Sequence, residues 1–298
     1  MTGARSRRGL PLAEWLLTGP SLLWLTLFFL VPTLLVFSYA FRPPDPYGGV
    51  QEGWTWRNFS LLWDGTYLPV VWRTLWLSAA ATLVCLLLAL PAGHAIARMR
   101  PGRKEAALFL VIIPFWSNFL IRVYAWKTLL HPESFLTWLA RAMGLLAPDE
   151  MLLYRPGAVL LVLVYTYLPF AVLPIYAAAE KFDYTLVEAA RDLGASKARA
   201  VWQVYLPGIR RGILTAALIV FIPALGSYVI PDIVGGPSAE MLGNKIAQRV
   251  FVDRNLPLAA ALSAMLTLAV VVPALAALLL SKRETWSNGR SLPRRGKP

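Results

Sequence analysis

Several long apolar runs divide this sequence, and they restrict the possible folds more than any other feature. Each run is about as long as the ~20 residues that an α-helix needs to cross a bilayer. Hydrophobic residues make up 57% of the 298-residue chain, whereas charged residues make up only 15%. A soluble domain of this size has room for one or two apolar cores, but not for several separate runs of bilayer length. The sequence therefore predicts an all-α integral membrane protein.

Basic residues cluster in alternate connections between the apolar runs. This clustering accounts for the formal net charge of +13 without a nucleic-acid partner. By the positive-inside rule the basic connections face the cytoplasm, which places both termini there as well. The basic residues assigned to this side are Arg5, Arg7, Arg8, Arg98, Arg100, Arg103, Lys104, Lys181, Arg191, Lys197, Arg199, Arg210, Arg211, Lys282, Arg283, Arg290, Arg294, Arg295 and Lys297.

Six of the apolar runs are long enough to count as transmembrane helices. The predicted spans are residues 16–41, 70–96, 106–130, 156–179, 212–230 and 256–280. Residues 1–15 and 281–298 are then cytosolic tails, and residues 16–280 form one six-helix transmembrane domain. The fifth span leads into PDIVGGPSAEMLGN, whose proline, glycine and asparagine residues indicate irregular backbone. At membrane depth, such backbone is tolerated only inside protein or beside a water-filled cavity.

A charged stretch at residues 181–211 separates the fourth and fifth spans. Its spacing predicts a short amphipathic helix over residues 185–193, followed by Gly194. Glycine accepts the left-handed conformation found at helix ends without steric cost. Ser196 is a suitable N-cap for a second helix, which Pro207 is expected to stop. The pattern predicts two short helices on the cytosolic side, and an ordinary basic loop is the plainer alternative.

The residues of this stretch resemble the EAA loop of ABC-importer permeases. The resemblance rests on Glu188-Ala189-Ala190, Gly194 and Val204-x-Leu206-Pro207, with Val204 where isoleucine is more usual. In that family the loop forms coupling helices, which dock into a cleft on the ATP-hydrolysing subunit. The resemblance implies an ATPase contact on the cytosolic side, made by Glu188, Ala189, Ala190, Asp192, Gly194, Leu206 and Pro207.

The resemblance continues over roughly residues 15–280. Residues 113–130, 165–183 and 223–237 look like the permeases of spermidine/putrescine-type importers, and in particular like the first of the two permeases in such systems. This likeness implies the type I ABC-importer permease fold, in the bacterial inner membrane. It also implies three kinds of partner: a second permease, two copies of an ATP-binding subunit, and an external substrate-binding protein. The implied function is polyamine import by alternating access.

The sequence contains no motif for catalysis or metal binding. The phosphate-binding pattern G-x-x-x-x-G-K-[ST] does not occur, so ATP is expected on a partner subunit. His94 and His131 have no neighbours at ligand spacing, and the single cysteine, Cys85, lies in an apolar run. We therefore expect no catalytic site, no metal and no cofactor on this chain, and we interpret these three residues as ordinary polar or packing residues.

Aromatic and acidic residues in or near the spans are candidates for a substrate path. A polyamine is a flexible chain of ammonium groups, which carboxylates bind by charge and aromatic faces by cation–π contacts of about 0.5–2 kcal/mol each. Asp232 is the only acid near the membrane-embedded part. The predicted substrate-path residues are Asp232, Tyr228, Tyr165, Tyr167 and Trp116. For the aromatic side chains, packing is the plainer alternative.

Asn118 and Arg122 are expected to have a structural role in the third span. Together with Trp126 they recur at a spacing of four, which places them on one helix face. A buried arginine is costly in lipid, so this face is expected to point into the bundle or a wet cavity. Because a cationic substrate gains nothing from Arg122, we interpret it as an anchor bound to backbone carbonyls or to Asp232. A role on the substrate path is the alternative.

Two other classes of protein remain open from the sequence. A secondary transporter can have six spans, but it would leave the EAA-like stretch without a purpose. A membrane-bound enzyme would require a polar catalytic cluster among the spans, and the sequence shows none. Within the importer class the substrate is also open, because related permeases serve systems for other amines, opine-like compounds, phosphonates or ferric iron.

Overall fold

The computed structural model describes residues 12–271, except residues 64, 145 and 148–149. Within these residues the only β-type pairing is an isolated bridge between Pro44 and Val50. The predicted all-α fold is confirmed. The α-helices in chain order are α1 (Leu12–Leu25), α2 (Val31–Ala40), α3 (Arg57–Leu62), α4 (Leu68–Ala97), α5 (Arg103–Ile112), α6 (Phe119–Leu129), α7 (Phe135–Ala142), α8 (Pro156–Glu180), α9 (Thr185–Asp192), α10 (Lys197–Ala200), α11 (Leu206–Gly208), α12 (Arg210–Leu225), α13 (Leu242–Phe251) and α14 (Leu256–Val271).

Three described helices are long and apolar enough to cross a membrane alone, namely Thr18–Ala40, α4 and α8. They correspond to the first, second and fourth predicted spans. The first of them joins α1 to α2 through a π-helical turn at Thr26–Leu30. Because α1 begins at Leu12, the helix starts inside the predicted tail of residues 1–15.

The centre of the bundle is α8, which packs against both α4 and α12, and these two helices also pack against each other. Small residues allow these helices to approach closely. A Cβ added to Gly93 of α4 would lie 2.8 Å from the Ile175 Cγ2 of α8, and one added to Gly212 of α12 would lie 2.4 Å from the Ala178 Cβ. Close packing through small residues is the usual basis of helix association in membranes. Cys85 is buried in this core, in agreement with its interpretation as a packing residue.

The third predicted span is a pair of helices joined at a sharp bend, and the expectation that Asn118 shares a helix face with Arg122 and Trp126 was wrong. A 3₁₀ turn at Ile113–Trp116 continues α5, and α6 then runs at 89° to this first half. The bend lies at Ser117 and Asn118, where the backbone is extended. The Asn118 side chain accepts a hydrogen bond from Leu120 N at 2.8 Å and so caps α6. Asn118 therefore precedes the helical face that carries Arg122, instead of sharing it.

The fifth predicted span ends earlier than expected, because α12 stops at Leu225. The chain then continues through irregular backbone into a π-helical turn, Pro231–Gly235, which packs against α6 and α8. Before α12, the helical stretch Lys197–Gly208 meets it at an angle of 69°. The last described helix, α14, follows the sixth predicted span up to Val271. Residues 272–280 of that span and the tail 281–298 lie outside the described residues.

Candidate functional site

The first candidate region is the hairpin, which we define as residues 185–208. Its first helix, α9, ends in a pair of hydrogen bonds, Gly194 N to Arg191 O at 2.9 Å and Ala195 N to Ala190 O at 3.0 Å. This pattern is the Schellman motif, which requires a left-handed residue, and Gly194 has φ +87°. Ser196 Oγ then accepts a hydrogen bond from Arg199 N at 3.3 Å. The predicted glycine turn and serine cap are confirmed.

The predicted stop at Pro207 was wrong by one residue. The second helix of the hairpin continues through Pro207 and ends at Gly208. A π-helical turn at Val201–Tyr205 precedes the proline, with Leu206 N bonded to Val201 O. Such turns accommodate an irregular residue without ending the helix.

The hairpin has an exposed surface of mixed polarity. Leu193 at its tip is 90% exposed, and Trp202 on the second helix is 73% exposed. Beside them lies an open, mainly polar cleft of about 690 Å³, which is lined by Glu188, Arg191, Asp192, Gly194, Ala195, Ser196 and Lys197.

The hairpin contains all seven residues predicted to contact an ATPase. Ala190 and Leu206 are half-buried, and Leu206 packs against an apolar cluster beneath the hairpin. The other five predicted residues are exposed, namely Glu188, Ala189, Asp192, Gly194 and Pro207. The part of the chain that the structure describes does not cover this surface.

A cluster of rings, the aromatic joint, connects the base of the hairpin to the end of α4. Its centre is Tyr205, which is only 5% exposed. The rings of His94, Phe182 and Tyr184 surround it at centroid distances of 4.9, 5.2 and 5.9 Å. The Tyr184 hydroxyl lies 3.4 Å from His94 Nδ1, and the Arg98 guanidinium carbon lies 4.9 Å from the Tyr184 ring centroid. The sequence analysis did not identify this joint, because its members come from segments about 90 residues apart in the chain.

The second candidate region is the break segment, which we define as residues 226–244. Two buried side chains hold it in place. Asn244 accepts a hydrogen bond from Met241 N at 3.1 Å and donates one to Tyr228 O at 3.0 Å. Thr74 of α4 accepts a hydrogen bond from Leu242 N at 2.8 Å. The irregular backbone therefore finds hydrogen-bond partners inside the protein, as expected for such backbone at membrane depth.

Two of the predicted substrate-path residues, Asp232 and Tyr228, lie one turn apart on the break segment. Asp232 N donates to Tyr228 O at 3.0 Å, and both side chains are exposed. Trp116, at the bend of the third span, is exposed as well. These three side chains are accessible to a solute or a partner.

The two other predicted substrate-path residues, Tyr165 and Tyr167, are half-buried in α8. The Tyr165 ring packs edge-on against Trp126, with the centroids 5.3 Å apart. The Tyr167 hydroxyl donates to Pro223 O at 3.2 Å, beside the end of α12. Both side chains thus take part in helix packing, which was the alternative considered for them.

Arg122 forms no ion pair with Asp232 among the described residues. Its guanidinium carbon instead lies 4.9 Å from the ring centroid of Phe115, on the other side of the bend in the third span. Its Nε is buried without a hydrogen-bond partner. The side chain therefore connects the two halves of the bent span by a cation–π contact, and the Asp232 carboxylate remains free of ion pairs in the described structure.

Comparison with known proteins gives consistent matches over most of the chain. The family described as "Binding-protein-dependent transport system inner membrane component" matches residues 5–284. The spermidine/putrescine transport system permease protein PotB of Haemophilus influenzae is 38% identical over 244 residues, which cover 82% of this chain and 85% of the relative. PotB of Escherichia coli is 36% identical over 245 residues, covering 82% and 89% respectively.

A solved structure has a similar fold. A chain of a bacterial ABC transporter involved in the import of the acidic polysaccharide alginate superimposes with a TM-score of 0.69. The match covers 91% of the present chain and 96% of that chain, at 18% sequence identity. At this level of identity the likeness concerns the fold alone.

Proposed function

Because the chain belongs to the family of inner-membrane components of binding-protein-dependent transport systems, we propose that it is the permease of a polyamine importer. The observation that carries this substrate assignment is the identity of 36–38%, over 82% of the chain, to permeases named for spermidine/putrescine transport. The free carboxylate of Asp232 supports it, because ammonium groups bind favourably to an exposed acid beside an aromatic ring such as Tyr228.

In this proposal the chain itself does not hydrolyse ATP. Two copies of an ATP-binding subunit bind on the cytosolic side, a second permease pairs with this chain, and a binding protein delivers the substrate from outside. The exposed tip of the hairpin supports an ATPase contact there. Leu193 offers apolar surface for the contact, and the flanking acidic and basic side chains give it electrostatic specificity.

Transport proceeds by alternating access, with the hairpin as the moving contact. We place the hairpin and both termini in the cytoplasm, and the break segment towards the outside. ATP binding draws the two ATPase subunits together, which displaces the hairpin. Because α8 and α12 pack closely at Gly212, they are expected to follow the hairpin as one unit and to open or close the path beside the break segment.

The test is uptake by the purified complex in proteoliposomes, with the binding protein present outside. We expect labelled spermidine or putrescine to accumulate only when ATP is supplied to the side of the hairpin. Accumulation without ATP would instead indicate a secondary transporter. Absence of polyamine uptake, together with ATP hydrolysis stimulated by a binding protein loaded with another solute, would contradict the substrate assignment.

A further inference from the structure

We propose that α4 transmits the movement of the hairpin to the break segment, and that His94 and Arg98 are positioning residues that join α4 to the hairpin. This inference rests on the proposed function, because it concerns how an ATPase-driven displacement reaches the substrate path. The hairpin is covalently joined to α8 and α12, whereas its connection to α4 is made entirely by side chains. The aromatic joint therefore adds a third attachment to the two that the backbone provides.

The two backbone attachments of the hairpin are bends. A non-helical turn after Glu180 connects α8 to α9, and Ile209 separates the second helix of the hairpin from α12 at an angle of 69°. A bend between helices is a place where backbone torsions can absorb a displacement. A hairpin attached by two bends alone would therefore lose part of its movement at them.

The aromatic joint packs the chain near both bends against the end of α4. Phe182 and Tyr184 belong to the turn before α9, whereas Tyr205 belongs to the second helix, and all three rings contact one another. A Cβ added to Gly208 would lie 2.2 Å from Phe182 Cε2, so the ring fills the space where the second helix ends. Close-packed interiors transmit displacement because they have few voids to absorb it. Both ends of the hairpin are therefore expected to move as one body.

His94 and Arg98 are the members of the joint that belong to α4. They lie one turn apart, at the end of the helix, where Arg98 is the C-cap residue. The His94 ring is edge-on to both Tyr205 and Tyr184, and Arg98 covers the Tyr184 ring. Because His94 contacts the rings of Tyr205 and Tyr184, and Arg98 contacts the Tyr184 ring from a position one turn further along α4, the two side chains fix the orientation of α4 relative to the hairpin.

The other end of α4 is bonded to the break segment. Thr74 Oγ1 accepts from Leu242 N at 2.8 Å, and Arg73 Nη1 donates to the carbonyl oxygens of Pro237 and Glu240 at 3.5 Å each. About 30 Å of helix separates Thr74 from His94 at 1.5 Å per residue. The helix is continuous over this distance, although it contains Pro91, whereas α12 ends at Leu225, where the irregular backbone of the break segment begins. A displacement at the aromatic joint thus reaches the hydrogen bonds of the break segment through one continuous helix.

The experiment measures the number of substrate molecules imported per ATP hydrolysed by the reconstituted complex. We expect His94→Leu and Tyr205→Leu to lower this ratio at least fivefold, while ATP hydrolysis and the yield of assembled complex stay within twofold of the unmodified protein. Tyr205→Phe, which retains the ring, is expected to keep the ratio within twofold. The matched control is His131→Leu, which removes a histidine remote from the joint and is expected to leave the ratio unchanged.

An unchanged ratio in assembled His94→Leu complex would overturn the proposal. If His94→Leu lowers the yield of complex, His94→Gln becomes the deciding variant, because its amide retains a hydrogen-bonding group for the Tyr184 hydroxyl. A normal ratio for both His94→Gln and Tyr205→Leu would then overturn it, and a reduced ratio in Tyr205→Leu would support it.

If the unmodified complex imports no polyamine, the proposed function fails. The same ratio is then measured with the solute that stimulates its ATP hydrolysis, so the two failures remain distinguishable.

Discussion

The hairpin and the break segment both interrupt the apolar helices, but they are stabilised in different ways. The turn of the hairpin is held by bonds between close neighbours, such as Gly194 N to Arg191 O. The break segment is held from a distance, since Thr74 bonds to Leu242, which lies 168 residues further along the chain. A locally stabilised element can project from the bundle and present a surface. An element bonded to other helices changes shape only when those helices move.

This difference suggests a division of roles. The hairpin is suited to being displaced as a unit by a bound partner, because it keeps its own conformation at an exposed position. The break segment is suited to respond to movement of the helices, and it carries the free carboxylate of Asp232. The predictions below test whether the two regions differ in this way.

The largest expected effect is that of changing the tip of the hairpin. Gly194→Asp places a side chain on a residue with φ +87°, which strains the turn by roughly 1–2 kcal/mol and misorients the docking surface. Glu188→Lys reverses a charge in the first turn of α9, where the helix dipole favours an acid. We expect either variant to reduce ATP-driven uptake by at least about thirtyfold, or about 2 kcal/mol, in proteoliposomes.

Gly102→Asp is a matched control for the glycine variant. Gly102 also has a positive φ of +82° and open space around its Cα, but it precedes α5 and lies outside the hairpin. The backbone strain is therefore similar and the position differs. If Gly102→Asp reduced uptake as strongly as Gly194→Asp, the effect would be due to strain in general and not to the hairpin.

The second prediction concerns the stability of the break segment. Asn244→Ala leaves Met241 N and Tyr228 O without their side-chain partner, and an unsatisfied buried polar group costs about 1–3 kcal/mol. We expect the Tm of the purified complex to fall by roughly 5 °C, from the ~2–4 °C per kcal/mol typical of chains of 150–250 residues. Asn255→Ala, which removes a more exposed cap of Leu258 N, should lower it less. Equal Tm values for the two variants would show that the hydrogen bonds of Asn244 do not hold the segment.

A smaller effect is expected from neutralising the acid on the break segment. Asp232→Asn keeps the size of the side chain and removes its charge, so the substrate concentration for half-maximal polyamine uptake should rise about three- to tenfold, or about 1 kcal/mol. Glu52→Gln removes a charge from another exposed side chain, in the connection between the first and second predicted spans, and should leave this concentration within twofold. A similar change in both variants would assign the effect to the overall charge of the outer surface.

The smallest effect is predicted for the cap of the second helix in the hairpin. Ser196→Ala removes the hydrogen bond from Arg199 N to Ser196 Oγ, a loss typically worth about 0.5–1 kcal/mol at an exposed site. We expect uptake to fall by less than about fivefold, and we expect Ser196→Asp, which restores a capping oxygen, to recover it. Failure of Ser196→Asp to recover uptake would indicate that the serine has a role other than capping.

The sequence allowed the hairpin to be predicted more accurately than the break segment. Gly194 and Ser196 are local signals, because each specifies the conformation of its immediate neighbours. Asn244 has no such signal, since an asparagine in a glycine-rich stretch suggests a loop and gives no indication of its partner. His94 was passed over for the same reason, as its contacts lie on another helix.

The bend of the third span was missed although a signal was present. Hydropathy treats residues 106–130 as one run, because it counts apolar side chains and ignores backbone conformation. Ser117 and Asn118 are both residues favoured at helix N-caps, and Pro114 precedes them by a few positions. A capping residue inside an apolar run thus indicates that a new helix begins there. By contrast, the 89° angle brings α6 against the π-helical turn of the break segment, a contact that the sequence does not reveal.

The most direct test of the division of roles is to compare the uptake kinetics of Gly194→Asp and Asp232→Asn. Polyamine uptake by each reconstituted complex is measured over a range of concentrations of the loaded binding protein and of free polyamine, at saturating ATP. The account predicts that Gly194→Asp lowers the maximal rate and leaves the half-saturating polyamine concentration unchanged, whereas Asp232→Asn raises that concentration and leaves the maximal rate within twofold. The same kinetic change in both variants would contradict the assignment of coupling to the hairpin and of substrate contact to the break segment.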